Sequence, residues 1–391
     1  MSSPSTTYTH EIRLYPLGNF FFGGENYSDS TRKAFYYQTS LDVPQQTSLM
    51  GLIRYQLLLQ NNLLPIPKSG SNINVVQLIG SESFDPGVRG SQVFGAIQKI
   101  SPLYLINQNK SHHHFLQTVS KWEDNGLKTH EIPSLTMDSS IRVKTSTGGE
   151  VVQEDLSLLK GYSPKLGTSR NWLNTVTGKQ VSNDDFYQEV DEQIGIYKTD
   201  TLSYRKTDDR EGFFKMQYKR LKEGSSFAFF LSLSEYQSCK LESQPMVIFG
   251  KERSAFRMEV LPYPDKAPVE EVNLNKLEGG ETLCLLSPAR VEMEKVQHIA
   301  QFILGQEISF RCMKTRVQGG YNYYGNPRKK WKKGTVPNQP TMSGRYNLLD
   351  AGSILFLRSG VSSSDIISTL QDLTFETIGY NHYTLLNSST R

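Results

Sequence analysis

Residues 193–233 read QIGIYKTDTLSYRKTDDREGFFKMQYKRLKEGSSFAFFLSL. Ile194 and Ile196 alternate with polar neighbours, and Phe214, Met216 and Tyr218 stand opposite Phe213, Lys215, Gln217 and Lys219. An apolar run, Phe227–Leu233, follows. A period of two places successive side chains on opposite faces of an extended chain, so these segments predict strands. The first two form a long hairpin, and its polar loop, Lys198–Gly212, projects from the body.

Working outward, His10–Tyr15 predicts a strand with Ile12 and Leu14 on one face and Glu11, Arg13 and Tyr15 on the other. An aromatic, glycine-containing loop, PLGNFFFGGENYS, comes next. In QQTSLMGLIRYQLLLQNNLLP the residues Leu49, Leu52, Ile53 and Gln56/Leu57 recur at helical spacing, Thr47-Ser48 offer a cap, and Pro65 ends the helix. Residues 81–190 are polar, with short apolar runs such as Ile97–Ile106, and predict a loop-rich insertion. Further strands are expected at Met246–Phe249, Phe256–Leu261, Thr282–Leu286 and Gly352–Leu357. Helical spacing marks Val296–Leu304, and Asp365–Leu373 reads as a helix capped by the preceding SGVSSS. The chain is α+β, and 391 residues exceed one ordinary core. Three parts are expected: 1–190, a hairpin at 191–235, and 236–391.

Composition excludes several classes. With 37% hydrophobic and 21% charged residues the chain has enough apolar surface to fold. Cys239, Cys284 and Cys312 are too few and too scattered for a disulfide framework or a zinc site. The start, MSSPSTTYTHEIRL, lacks the basic and apolar regions of a signal peptide, and no run approaches the ~18 apolar residues of a membrane span. A cytoplasmic protein with no membrane association is expected. Charge is concentrated in one place. Arg311–Arg345 holds nine cations (Arg311, Lys314, Arg316, Arg328, Lys329, Lys330, Lys332, Lys333 and Arg345) and no Asp or Glu, while the whole chain carries only +4. The remainder is therefore net acidic, and a cationic segment on an acidic body fits a polyanion-binding surface.

That stretch also contains Tyr321, Tyr323, Tyr324 and Trp331, with Gly319, Gly320, Gly325 and Gly334. Cations contact phosphates and aromatic faces stack on unpaired bases, so the mixture suits single-stranded nucleic acid; a solvated surface loop is the plainer alternative. His112-His113-His114 lie side by side, where neighbours on an extended chain point apart, and no carboxylate is spaced to complete a site. Gly23-Gly24-Glu25, Gly148-Gly149-Glu150 and Gly279-Gly280-Glu281 read as turns. There is no Walker loop, no G-x-G-x-x-G, no HExxH and no G-x-S-x-G. No catalytic residue, cofactor or metal site is assigned.

Several segments in order resemble the RAMP superfamily of CRISPR proteins, and most closely the Cmr subunit three family of type III-B effector complexes. Thr47-Ser48-Leu49-Met50-Gly51-Leu52-Ile53-Arg54 is similar to that family's S/T-x-x-G-x-x-R first helix, and Ile100-Ser101-Pro102-Leu103 follows. Gly195-Ile196, Phe213-Phe214 and Tyr218–Gly224 resemble its hairpin and following strand. Phe249-Gly250-Lys251-Glu252-Arg253 resembles a GGER element with Lys251 shifted into the pattern, and Leu285–Ala289 continues the match. Gly319-Gly320-Tyr321-Asn322 stands where the family has GGW, and Asp350–Phe356 where it has PAGSV. The terminal glycine-rich element is only hinted at by Gly379-Tyr380-Asn381.

The resemblance implies two ferredoxin-like, RRM-related domains that hold the 5′ tag of the CRISPR RNA. They would sit beside a large polymerase-like subunit and backbone RAMP subunits, meet target RNA only indirectly, and not cleave RNA. Expected RNA contacts are Thr47, Ser48, Gly51 and Arg54, then Lys198, Arg205 and Lys206 of the hairpin loop, and Gly319, Gly320, Tyr321, Arg328, Lys329, Lys330 and Trp331. Two rivals stand beside this expectation. One is a RAMP endoribonuclease using His112–His114 or His130, and the other a scaffold whose basic loop meets an acidic protein.

Overall fold

All eight residues of the strand Ser226–Leu233 are buried, which requires cover on both faces and a neighbour on both edges. His10–Pro16 supplies one edge, antiparallel, with Ile12 opposite Phe229 and Leu14 opposite Phe227. Ile97–Ile100 and Tyr104–Ile106 supply the other, also antiparallel. His10–Pro16 pairs in turn with Ala255–Pro262, and that strand with Gln244–Ile248. Ile12, Leu14, Phe227, Phe229, Phe256 and Met258 are wholly inaccessible to solvent. On the opposite face Glu11 is buried too, accepting from Arg13 at 2.8 Å and from the Tyr104 hydroxyl at 3.1 Å. A carboxylate so far from water stays only where such partners replace its hydration.

The structure, a computed structural model, describes residues 8–23, 36–64, 73–88, 90, 92–107, 114–120, 137–138, 142–144, 150–152, 158–159, 168–174, 180–190, 193–197, 212–234, 239–263, 282–315 and 341–386. It has a mixed α/β architecture of antiparallel sheets with few helices. Two compact units interleave along the sequence: 1–111, 184–265 and 311–344 make the first, and 112–183, 266–310 and 345–391 the second.

In the first unit the helix Gln46–Gln60 buries Leu49, Leu52, Ile53, Gln56 and Leu57, the positions its spacing predicts. Its ends differ from expectation. Gln45 occupies the N-cap without a side-chain bond, so Thr47 and Ser48 lie inside the first turn and cap nothing. The C-terminus is closed by Asn61, whose side-chain amide donates to the Leu57 carbonyl at 2.7 Å, and by Asn62 at φ 56°. Pro65 lies outside the described residues. The expected hairpin is present: Gln193–Tyr197 pairs with Gly212–Gln217, Tyr197 opposite Gly212. A third strand, Tyr36–Thr39, joins it in parallel. The loop between the hairpin strands is outside the described residues.

The second unit runs strand Thr282–Leu285, helix Met293–Ile299, strand Ala300–Leu304, strand Ile354–Leu357, helix Ser363–Leu370, strand Tyr383–Leu386. Ile354–Leu357 pairs with both Ala300–Leu304 and Thr282–Leu285, and the last also pairs with Tyr383–Leu386, all antiparallel. Val296, Ile299, Ile366 and Leu370 pack against Leu283, Leu285, Leu355 and Leu357 as one core. The stretch expected to be helical through Leu304 leaves the helix at Ile299, because Ala300–Leu304 is drawn into the ladder with Ile354–Leu357. Apolar residues at 296, 299, 300, 303 and 304 suit either geometry, and the need of Ile354–Leu357 for a partner decides. Ser362 and Asp365 form a reciprocal capping box on the next helix. Its hydrogen bonds from Ser362 hold the Asp365 carboxyl below the usual carboxylate range.

The region expected to be loop-rich contains a ladder of seven residue pairs between His114–Ser120 and Thr168–Asn174. Polar residues at most positions of TSRNWLN hide its alternation, and Trp172 and Leu173 are buried. No described helix is long and apolar enough to cross a membrane.

Burial pushes the Cys284 thiol up to about 12 and the Cys312 thiol to about 11, while Cys239 is part-exposed. Alkylation of the native chain with iodoacetamide should therefore modify Cys239 alone, with Cys284 and Cys312 reacting after denaturation; mass mapping checks this, and prompt native labelling of Cys284 would contradict the core.

Candidate nucleic-acid interface

The described ends of the acid-free stretch meet at one place in the first unit. Cys312 donates its amide to Ser343 Oγ at 3.0 Å, and Ser343 donates its own to the Cys312 carbonyl at 2.8 Å. Beyond them Met313 pairs with Met342 and Lys314 with Thr341 in a short antiparallel ladder. Arg311 and Arg345 are exposed, whereas Lys314 is bound to Asp85 at 2.8 Å, so one of the nine cations is already neutralised by the body. Arg316, Gly319, Gly320, Tyr321, Arg328, Lys329, Lys330, Trp331, Lys332 and Lys333 lie outside the described residues, as do Lys198, Arg205 and Lys206.

Residues 82–85 clasp the outgoing strand. Ser83 donates its amide to the Thr315 carbonyl at 2.8 Å, and Thr315 returns its amide to Ser83 Oγ at 2.7 Å. The Cys312 thiol approaches the Phe84 carbonyl at 3.8 Å. This clasp is held from the helix: Arg54, only 8% exposed, donates from its guanidinium to the Glu82 carbonyl at 2.7 Å. The grouping of Thr47, Ser48, Gly51 and Arg54 as one contact set is thus divided by the helix itself. Ser48, Gly51 and Tyr55 share an exposed face at helical spacing, Thr47 is half-buried beside them, and Arg54 turns inward to the clasp. A Cβ on Gly51 would meet nothing within 4 Å, so this glycine leaves open space.

A third feature carries no assignment from the sequence beyond its likeness to a family element. Between Gln244–Ile248 and Ala255–Pro262 the chain reverses at Lys251–Ser254, closed by the Ser254 amide on the Lys251 carbonyl at 3.3 Å. Its central residues, Glu252 and Arg253, both have left-handed backbone, φ 55° and 54°. Such a turn selects Asn-Gly, and left-handed backbone costs a residue with a Cβ about 1–2 kcal/mol. The surroundings impose the geometry. Gly250 stands at φ 93°, where a Cβ would lie 2.8 Å from the Phe21 carbonyl. Lys251 donates its amide to that carbonyl at 2.8 Å, and Phe21 donates to Ser254 Oγ at 3.0 Å. Phe20, Phe21 and Phe22 are buried, which fixes this segment to the core.

The described histidines are scattered. His10 is half-buried with its Nδ1 2.7 Å from Thr9 Oγ1, and burial lowers its pKa. His298 is exposed in the last turn of its helix. His382 is half-buried, its amide donating to Ser287 Oγ. The backbone of His114 is opposite Asn174, and His112, His113 and His130 lie outside the described residues. Among the described residues no group of three His, Cys, Asp or Glu is arranged to hold a metal.

A family model described as CRISPR-associated protein (Cas_Cmr3) matches residues 12–388. A chain from a cryo-EM structure of the Type III-B Cmr-beta bound to cognate target RNA is 12% identical, with 96% of this chain and 98% of that one covered at a TM-score of 0.49. A chain from the same assembly bound to cognate target RNA and AMPPnP is also 12% identical, covering 96% and 99% at a TM-score of 0.47. No curated protein matches the sequence.

Arg54→Ala removes the donor from a carbonyl held in the clasp and leaves a cavity where the guanidinium lay. It should destabilise the chain by about 2 kcal/mol in denaturant unfolding; a change near zero would mean that the Glu82 carbonyl finds another donor and that the clasp does not depend on the helix.

Proposed function

The chain belongs to the Cas_Cmr3 family of CRISPR-associated proteins, and from that membership we propose that it is a non-catalytic RNA-holding subunit of a type III-B RNA-guided effector complex. In this reading it works in the cytoplasm, grips the 5′ tag of the CRISPR RNA, and joins the large polymerase-like subunit to the backbone subunits. The observation that carries it is the nine-cation, acid-free stretch whose two ends are fastened to each other and to residues 82–85. A cationic loop on a fixed base presents its charges to a phosphate chain at a smaller loss of chain entropy than a free tail.

Two further observations favour it. In the first unit the sheet order is Ala255–Pro262, His10–Pro16, Ser226–Leu233, then Ile97–Ile100 and Tyr104–Ile106 side by side in sequence on the far edge, all antiparallel, with the helix Gln46–Gln60 between His10–Pro16 and Ile97–Ile100. The second unit has the same order, Tyr383–Leu386, Thr282–Leu285, Ile354–Leu357, Ala300–Leu304, with a helix in each crossover. Both orders suit ferredoxin-like domains of the RRM kind. For the non-catalytic role, a ribonuclease brings a histidine and a second base together within reach of a 2′-hydroxyl, and among the described residues His10, His298 and His382 sit on separate elements.

Replacing Arg328, Lys329, Lys330, Lys332 and Lys333 together by Ala should weaken binding of tagged CRISPR RNA and flatten the dependence of log affinity on log salt by about 0.7 for each phosphate no longer neutralised. Unchanged affinity with an unchanged slope would remove the basic stretch from the interface, and loss of complex assembly in its place would favour an acidic protein as its partner.

A further inference from the structure

We propose that the turn Lys251–Arg253, with Tyr218, is a second contact for single-stranded RNA, at the foot of the hairpin and made by residues outside the acid-free stretch. This rests on the reading of the chain as an RNA-holding subunit and names a site within it. Lys251, Glu252 and Arg253 are all exposed, although their backbone is fastened on both sides to the buried Phe20–Phe22 segment. The tip therefore holds two charged side chains in left-handed positions, where Asn-Gly would relax the backbone and cost the fold nothing in packing. Strain kept at an exposed tip that makes no core contact points to a use for the side chains themselves.

The neighbourhood identifies the chemistry. Tyr218 meets Phe21 edge-on at 5.6 Å and is half-buried, leaving part of its ring available for stacking. Phe21 is also the ring that the Lys251 ammonium approaches, so Tyr218 and the turn share one buried neighbour; burial and the Glu252 charge raise the Tyr218 hydroxyl above the usual tyrosine range. The Lys251 ammonium lies 5.6 Å from the Phe21 ring and donates to Gln38 Oε1 at 3.1 Å, so this exposed side chain is oriented. Tyr218 directly follows the strand Gly212–Gln217, and the exposed Arg220 and Lys222 follow it. Exposed cations that flank a half-buried tyrosine in sequence or share its Phe21 neighbour match an unpaired strand, whose bases stack on rings while its phosphates meet cations, better than a duplex groove.

The test uses the full chain and a labelled oligouridylate at low salt, with the double variant Glu252→Asn/Arg253→Gly and the single variant Glu252→Asn. The double variant adopts the favoured turn residues, so its melting temperature should rise, while against the Glu252→Asn single variant its RNA affinity falls severalfold and its salt slope drops by about 0.7 for the one phosphate that Arg253 no longer meets. Glu252→Asn removes an anion beside two cations and should bind more tightly. If the wild type binds and the double variant binds as tightly as the Glu252→Asn single variant, this contact is wrong and the RNA-holding role stands. If the wild type does not bind the oligouridylate or its tagged RNA, the role and the contact fall together. If only assembly with other subunits is lost, the turn meets a protein.

Discussion

Burial of every residue in Ser226–Leu233 is the constraint on which the first unit depends. A strand with no solvent face cannot lie at an edge, so the chain has to bring back three distant segments to complete its ladders: His10–Pro16, Ile97–Ile100 and Tyr104–Ile106. The three phenylalanines and two leucines that the strand commits to the core, each contributing about 1.5–3 kcal/mol, outweigh the entropy of closing those long loops. The same strand sets the place of the hairpin. The chain leaves Gly212–Gln217, pairs Lys219 with Phe20 through two backbone bonds, and turns at Lys222–Ser225 into the central strand. A hairpin so anchored keeps its foot fixed whatever its tip does.

Two buried charged groups of this interior, Glu11 and Arg54, are answered by specific partners, and the second answer connects the core to the surface. Glu11 is met by Arg13 and Tyr104. Arg54, on the buried side of its helix, spends its guanidinium on the Glu82 carbonyl and thereby positions the segment that holds Thr315 and Lys314. Arg54 of the helix motif is thus linked by hydrogen bonds to the described base of the basic stretch. An arginine suits this task because its planar fork donates to a carbonyl with little loss of freedom.

Much of this was legible beforehand where a single periodicity dominated. Ile12 and Leu14, the spacing of Leu49, Ile53 and Leu57, and the paired alternation around the hairpin each point to one geometry. The pattern was ambiguous where apolar spacing suited two geometries, as at Val296–Leu304, and silent where polar residues fill a strand, as at Thr168–Asn174. Site reasoning divided in the same way. Charge counting found the basic stretch, yet it could not tell that Lys314 is paired with Asp85 or that Arg54 faces inward, since both depend on partners 229 and 28 positions away. The left-handed Glu252-Arg253 pair had no signal in composition at all; only backbone geometry exposes it.

In the function proposed for it, this chain holds RNA without cutting it. Irradiating the purified chain with its tagged CRISPR RNA, sizing the RNA and mapping crosslinked peptides tests both halves at once. The expected result is intact RNA joined to peptides from Arg311–Arg345, where Tyr321, Tyr323, Tyr324 and Trp331 lie among the cations. Cleaved RNA, or intact RNA crosslinked only to peptides outside that stretch and the hairpin foot, would contradict it.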